Sequence, residues 1–248
     1  MNTVTHCSAV DLMKGLAKGS VGAIITDPPF HISTGRADNW GQKRGFGSDP
    51  WLEVSSVDEV VEWTKPHVVE ASRVLRLGGA LVVMGGTQSL VGWDLCCPKY
   101  GFQWMAEILI LWNCGKPRLR NFGSLHTRAV WYSRSGLRHT FNSEAKSIYS
   151  NVLVCTKVGS SKRLHPSEKP VGLTNFLISL LSLESDLIVD PFCGSGSTLV
   201  SAVQCDRKWL GADTDFGSVK TARYRTSRAD HEFPDPVFLW CNGRLEEV

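Results

Sequence analysis

The sequence is short of the features that assign a protein quickly. It holds eight cysteines, Cys7, Cys96, Cys97, Cys114, Cys155, Cys193, Cys205 and Cys241, yet no Cys-x-x-Cys pair. No histidine spacing completes a zinc site either, so no metal is expected. No apolar run reaches the roughly 18 residues that a membrane-spanning helix needs, which argues against a membrane partner. No secretory segment opens the chain, so free thiols in a reducing, cytoplasmic setting are expected rather than a disulfide framework. Charge of one sign is scarce as well. The formal net charge of 248 residues is only +3, so the distribution of charge carries more information than its sum. Internal repeats and long low-complexity segments are absent, which excludes a solenoid.

What the sequence does have is a series of buried strands that end in special loops. Val21 to Thr26 (VGAIIT) is apolar and β-branched, and Asp27-Pro28-Pro29 stops it at once. Neither proline can donate to a sheet ladder, so a strand running into a rigid turn is expected. Residues 31–50 are rich in glycine and polar groups and carry Arg36, Lys43 and Arg44. They read as a long mobile loop, and loops of that length are usually functional or disordered. A helix with apolar positions at Val57, Val60, Val61, Val68, Val69 and Leu75 follows, kinked near Pro66 and stopping at Leu77-Gly78-Gly79. Strands are expected at 80–84, 107–112 and 129–132. The stretch from Gly115 to Arg163 has a separate texture, basic and turn-rich.

Order returns after Pro170. A helix over 171–183, a strand over 186–189, a glycine loop, a helix over 198–205, a strand over 208–212 and a basic helix over 216–228 follow in turn. Such alternation predicts a doubly wound, mostly parallel α/β sheet of Rossmann-like type in a single domain. For the apolar stretch 237–240 an added edge strand and a loose tail stand as alternatives.

Three of the strand ends carry residues suited to chemistry. In DLIVDPFCGSGSTL (186–199) a strand delivers Asp190, then a turn with Phe192, then Gly194, Ser195, Gly196, Ser197 and Thr198 open a helix. Glycines there let backbone approach a ligand, and the helix start offers N–H groups. Asp213, at the end of the next strand, is placed to accept from ribose hydroxyls. A NAD site is the rival, but the loop is not G-x-G-x-x-G. Asp27-Pro28-Pro29-Phe30 suits an exocyclic amino group on a base. The carboxylate and a fixed backbone carbonyl can hold its two hydrogens, while the Phe30 ring stacks on the base. Taken alone, each motif also fits an ordinary turn.

Three blocks together, SVGAIITDPPF, HPSEKP at 165–170 and LIVDPFCGSGST at 188–198, resemble the β-class amino-methylating DNA methyltransferases, in which the catalytic motif precedes the cofactor motif. The weaker stretches RVLRLGGALVVM (73–84) and WLGADTD (209–215) fit the same pattern. The resemblance implies a circularly permuted S-adenosylmethionine-dependent methyltransferase fold and methylation of adenine N6 in double-stranded DNA. It implies that Asp27, Pro28, Pro29 and Phe30 meet the target amine. Asp27, His165, Ser167, Lys169, Asp190, Phe192, the residues 194–198 and Asp213 would surround the cofactor, with Lys169 suited to its carboxylate. Where the family usually carries an Asp before the first helix, this chain has His6-Cys7-Ser8, and the Ser8 hydroxyl is the group left to bond the cofactor adenine.

For DNA, Lys116, Arg118, Arg120, Arg134 and Arg138 join Arg36, Lys43 and Arg44 as phosphate-contact candidates. The target base must be flipped out to reach Asp27, with Trp40 and Phe46 as wedge candidates, and a short recognition site is expected. Cytosine N4 is the rival target within the class, and Asp27 in place of Ser tilts the reading to adenine. RNA or a protein amide, and a non-catalytic nucleic-acid-binding protein of the same fold, are the wider alternatives. A homodimer, a restriction-modification role and a restriction partner are left open.

Overall fold

Every residue of Val21–Thr26 is buried, as a strand at the centre of a sheet covered on both faces must be. The computed structural model describes residues 2–29, 31–32, 53–54, 56–112, 125–136, 138–142, 150–156, 164, 168–231, 236–241 and 244–247. In chain order the elements are β1 (Thr3–His6), α1 (Ala9–Lys14), β2 (Val21–Thr26), β3 (His31–Ile32), β4 (Glu53–Val54), α2 (Val57–Val74), β5 (Leu75–Gly85) and α3 (Thr87–Cys96). They continue as β6 (Phe102–Trp112), β7 (His126–Arg134), β8 (Val152–Cys155), α4 (Val171–Leu181), β9 (Leu187–Asp190), α5 (Ser197–Gln204), β10 (Lys208–Asp213), α6 (Phe216–Thr226), β11 (Val237–Cys241) and β12 (Arg244–Glu247).

Ten strands form one sheet in the order β1-β10-β9-β2-β5-β7-β6-β8-β11-β12. The pairs from β1 through β5 are parallel, β7 is antiparallel to β5 and β6, and β6 and β8 are parallel again. Helices cover both faces. Ala23, Ile25, Val82 and Ile188 pack with Leu173, Leu177, Leu199, Val219 and Ala222 of α4, α5 and α6. Ile24, Leu81, Val83 and Val189 pack with Met13, Val68, Ala71, Val74, Leu90 and Trp93 of α1, α2 and α3. Neighbours along a strand thus enter opposite cores, as the two-residue period of a strand requires.

The doubly wound architecture is as expected; one local reading is corrected and two are completed. The helix does not stop at Gly78-Gly79: α2 runs through Pro66 to Val74, and Leu75 already pairs with Val21. The next partners are Ala23 and Ala80, so β5 holds extra residues there. Gly78 makes that bulge feasible with φ +74°, a backbone region that side chains resist. The basic stretch after Gly115 holds β7, over the expected strand at 129–132, and a further strand, β8, both paired into the sheet. Tertiary pairing decides this, since β8 is only four residues long. The apolar segment 237–241 is strand β11, antiparallel to β8, with β12 beyond it at the sheet edge.

Strand direction gathers the functional segments. The carboxyl ends of β2, β5, β6, β8, β9 and β10 share one edge, and β7 begins there, since Leu111 pairs with His126. The neighbours β2 and β9 mark the switch point, because β5 extends the sheet to one side of them and β10 to the other. A crevice at such a point is where ligands bind in α/β sheets.

Candidate active site

The site is built on the facing ends of β2 and β9. Thr26, the last residue of β2, donates its hydroxyl to Asp190 Oδ1 at 2.8 Å. The next residue on that side is Asp27, half-buried, followed by buried Pro28 and half-buried Pro29. Asp190 is fully enclosed, and burial raises its carboxyl from 3.8 to about 6 against the lowering effect of hydrogen bonds from Thr26, Thr198 and the Phe192 N–H. The charge of Asp27 adds to the upward shift, which places the two carboxylates in the same electrostatic neighbourhood.

Past Asp190 the chain turns through Phe192, whose ring lies 5.8 Å from Trp63 and 5.3 Å from His67 of α2. His67 is itself pulled below its ordinary value by burial. The glycine loop is then held from beneath. Gly194 donates its N–H to Asp213 Oδ2 at 2.9 Å, and Asp215 donates to the other oxygen at 2.8 Å. Asp213 therefore braces the loop from the end of β10 while two further acceptor positions remain on its oxygens. Gly196, with φ +84°, begins α5, and no side chain caps the helix there. A Cβ at Gly196 would sit 2.8 Å from the Ala222 Cβ, so the loop is both left-handed and pressed against α6.

The side chains of the loop turn inward. Ser195, Ser197 and Thr198 are 3%, 6% and 4% exposed. Arg225 of α6 donates to Ser195 O at 3.1 Å, Ser195 Oγ at 3.0 Å and Ser197 Oγ at 3.2 Å. What the loop can present outward is chiefly backbone, with the uncapped N–H groups of α5 behind it. That donor set, with the acceptors of Asp213 beside it, fits a nucleoside-like ligand carrying a polar tail.

Lys169 reaches the same place from the segment before α4, and its ammonium is paired with Asp27 Oδ2. The resemblance implies contact with the cofactor's carboxylate, and in the structure the ammonium also lies against Asp27, at the end of β2. Ser8 is engaged locally. Its hydroxyl accepts from Asp11 N–H at 3.1 Å and donates to Asp11 Oδ2 at 2.7 Å, so it caps α1. Local capping takes the hydroxyl's donor and one of its two acceptor positions. Beside it, His6 donates to Thr214 O at 2.8 Å and its ring lies 5.4 Å from Phe216.

Arg134 and Arg138 are not brought to the site. Ser133 pairs with Ala80 near the amino end of β5, and Arg138 O lies beside Gly78, both at the opposite edge from Asp27. Arg134 is also occupied, donating to Ser72 O at 2.8 Å and Gly101 O at 2.7 Å. Phe30, Arg36, Trp40, Lys43, Arg44, Phe46, Lys116, Arg118, Arg120, His165 and Ser167 lie outside the described residues. The same holds for the expected loop over 31–50, apart from β3. Among the described residues no three His, Cys, Asp or Glu side chains gather as a metal site, and no helix is long and apolar enough to cross a membrane. Cys7, Cys96, Cys97, Cys155, Cys193 and Cys205 are free thiols.

Sequence reasoning missed Thr26, Glu168 and Arg225. Only the last left a readable signal. Val219, Ala222 and Arg225 recur at three-residue spacing on the buried stripe of α6, and a cation on such a stripe needs an internal partner.

A family model for N6/N4 DNA methylases matches residues 21–223, and the chain belongs to that family. Among its relatives, the DNA adenine methyltransferase YhdJ of Escherichia coli (strain K12) is 24% identical over 92% of this chain and 84% of its own length. The type II methyltransferase M2.DpnII of Streptococcus pneumoniae is 26% identical over 90% of this chain and 88% of its own. Among solved structures, the complex of M1.HpyAVI with SAM superimposes with a TM-score of 0.67 at 21% identity, covering 91% of this chain and all (100%) of that one. The cytosine-N4-specific PvuII DNA methyltransferase gives 0.71 at 17% identity, over 92% and 89% of the two chains. At those identities the structural likeness establishes the fold, a Rossmann-like methyltransferase sheet.

Proposed function

We propose that the protein transfers a methyl group from S-adenosylmethionine to N6 of adenine in double-stranded DNA. The observation that carries this reading is the junction of Asp27-Pro28-Pro29 and the Asp190 loop on adjacent strands, tied by the 2.8 Å Thr26–Asp190 bond. It sets an acceptor pair for an amine against a backbone cradle for a nucleoside. YhdJ is named for adenine methylation, which supports the choice of base.

The chemistry required of the chain is modest. An exocyclic amine is a poor nucleophile because its lone pair is delocalised into the ring. The Asp27 carboxylate and the Pro28 carbonyl accept its two hydrogens, which turns the nitrogen towards a tetrahedral geometry and localises the lone pair. Lys169, through its ion pair, fixes the direction of Asp27. S-adenosylmethionine supplies an electrophilic methyl group on a sulfonium. Asp213 and the backbone of residues 194–198 would hold its nucleoside part, and Asp190, through Thr26 and Thr198, keeps that cradle in register with Asp27. Proximity of this kind accounts for much of the rate in two-substrate reactions.

DNA reaches this edge by flipping the target base, and the segments that meet it leave from the same edge of the sheet. Residues 113–124, with Lys116, Arg118 and Arg120, are flanked by the ends of β6 and β7 there. Arg36, Lys43 and Arg44 follow the end of β2. These six are our phosphate-contact candidates in a short duplex site, and the enzyme acts in the cytoplasm. The test is a nucleoside assay on unmethylated DNA incubated with the protein and S-adenosylmethionine, digested and read by mass spectrometry. N6-methyladenine is expected. N4-methylcytosine would overturn the choice of base, and transfer to neither base, with cofactor bound, would overturn the reading altogether.

A further inference from the structure

Among the described residues of the site, the most deeply buried cation is held by the glycine loop and by Glu168. Arg225 is 3% exposed and its partner Glu168 7%. One edge of the guanidinium grips the glycine loop at Ser195 O, Ser195 Oγ and Ser197 Oγ. Its other nitrogen lies 3.3 Å from Glu168 Oε1. Glu168 in turn accepts the Leu164 N–H at 2.8 Å on Oε2. The next residue in the chain, Lys169, is the one paired with Asp27. A single planar fork therefore joins the loop after β9 to the segment that delivers Lys169.

From this geometry we propose that Arg225 is a positioning residue that sets the distance between the cofactor loop and the Lys169–Asp27 pair. The inference rests on the proposed function and extends it. Guanidinium suits the task because its donors are held in one rigid plane, so displacement at one end is carried to the other. A lysine at this position offers a point charge that cannot span both partners.

Removing one member of a buried pair strands the other, whereas removing both charges relieves that cost. This separates positioning from simple structural support. The test compares Arg225→Met, Glu168→Gln, Arg225→Lys and the double variant Arg225→Met/Glu168→Gln. Tm is measured for each, and S-adenosylmethionine Kd and single-turnover methylation are measured well below the lowest Tm. Arg225→Met is expected to lower Tm and to raise the cofactor Kd about tenfold, equivalent to one charged hydrogen bond. In the double variant Tm returns towards wild type while Kd stays raised and the single-turnover rate at saturating cofactor stays about tenfold or more below it. Arg225→Lys is expected to keep Tm closer to wild type without restoring Kd. If Kd and rate recover together with Tm in the double variant, or if Kd never changes, Arg225 is only structural and the proposal is overturned. Failure of the wild-type protein to bind S-adenosylmethionine or to methylate would instead overturn the proposed function.

Discussion

Asp27 and Asp190 show how position alone gives two aspartates different work. Asp27 is half-open at a strand end beside Lys169, where it can meet an amine. Replacing it with Ala should reduce single-turnover methylation at saturating cofactor by roughly 10²–10⁴, the range for a positioned acceptor of the amine's hydrogen. An Asp27→Ala enzyme with undiminished turnover would dismiss the catalytic role. Asp190 is enclosed, with its carboxyl raised from 3.8 to about 6, first by burial. Below the lower value both folded and unfolded chains hold the proton. Between the two values the unfolded chain releases it while the folded chain keeps it, so stability falls as pH rises through this window, by at most about 3 kcal/mol, and then levels. Asn at 190 cannot ionise. Denaturant unfolding from pH 4 to 7 should therefore show Asp190→Asn gaining on wild type up to about pH 6 and holding level above it. Parallel profiles would show that the buried charge is not where this part of the pH dependence resides.

At the scale of elements, the start of α5 is a tight junction. Gly196 combines φ +84° with a Cβ position 2.8 Å from Ala222. Alanine there meets both a left-handed backbone and the flank of α6, and should lower stability by about 1–3 kcal/mol. The loop would shift with it, so cofactor Kd should rise alongside the fall in Tm. A Gly196→Ala protein with unchanged Kd would mean that the loop's path does not govern binding. Arg134 works on another junction, bridging the last turns of α2 at Ser72 O and the Gly101 turn before β6. Its replacement by Ala should cost about 1–3 kcal/mol of stability through unmet carbonyls, and DNA affinity should not change.

Across the whole molecule, strand direction sorts the basic residues into two sets. Lys116, Arg118 and Arg120 belong to a segment that leaves and rejoins the sheet at the edge carrying Asp27, while Arg134 and Arg138 lie at the far edge. DNA binding measured against salt should separate them. Substituting the first three with Ala should reduce the slope of log K against log salt by about 0.9 for each phosphate left without its cation. Arg138→Ala should leave the slope where it was. A reduced slope for Arg138→Ala, with none for the triple variant, would move the DNA to the other edge.

Much of this was legible in the sequence because it is local. An apolar, β-branched run cut by Asp-Pro-Pro can be little other than a strand meeting a turn, and a strand followed by Gly-Ser-Gly-Ser-Thr opens a helix at once. Asp27, Asp190 and Asp213 were found because each stands at such a strand end. Tertiary structure decided what depends on pairing between distant segments. Gly78-Gly79 resembled a helix stop and became a bulge, since its conformation is set by register against β2. Arg134 resembled a phosphate ligand and became a brace, since spacing along a chain does not say at which end of a strand a side chain emerges. The Ser8 hydroxyl went to the helix that follows it. Arg225 joined Ser195 and Glu168, which stand far before it in the chain, and pairings over such separations are set by the packing of α6 on the sheet. The sequence by itself determined the alternating strands and helices around β2, β9 and β10 and the acids at their ends, because these follow from near neighbours in the chain. The motif blocks carried the resemblance that implied the chemistry. Only the fold decided which charges face the crevice and which hold it together, because that follows from strand direction and burial.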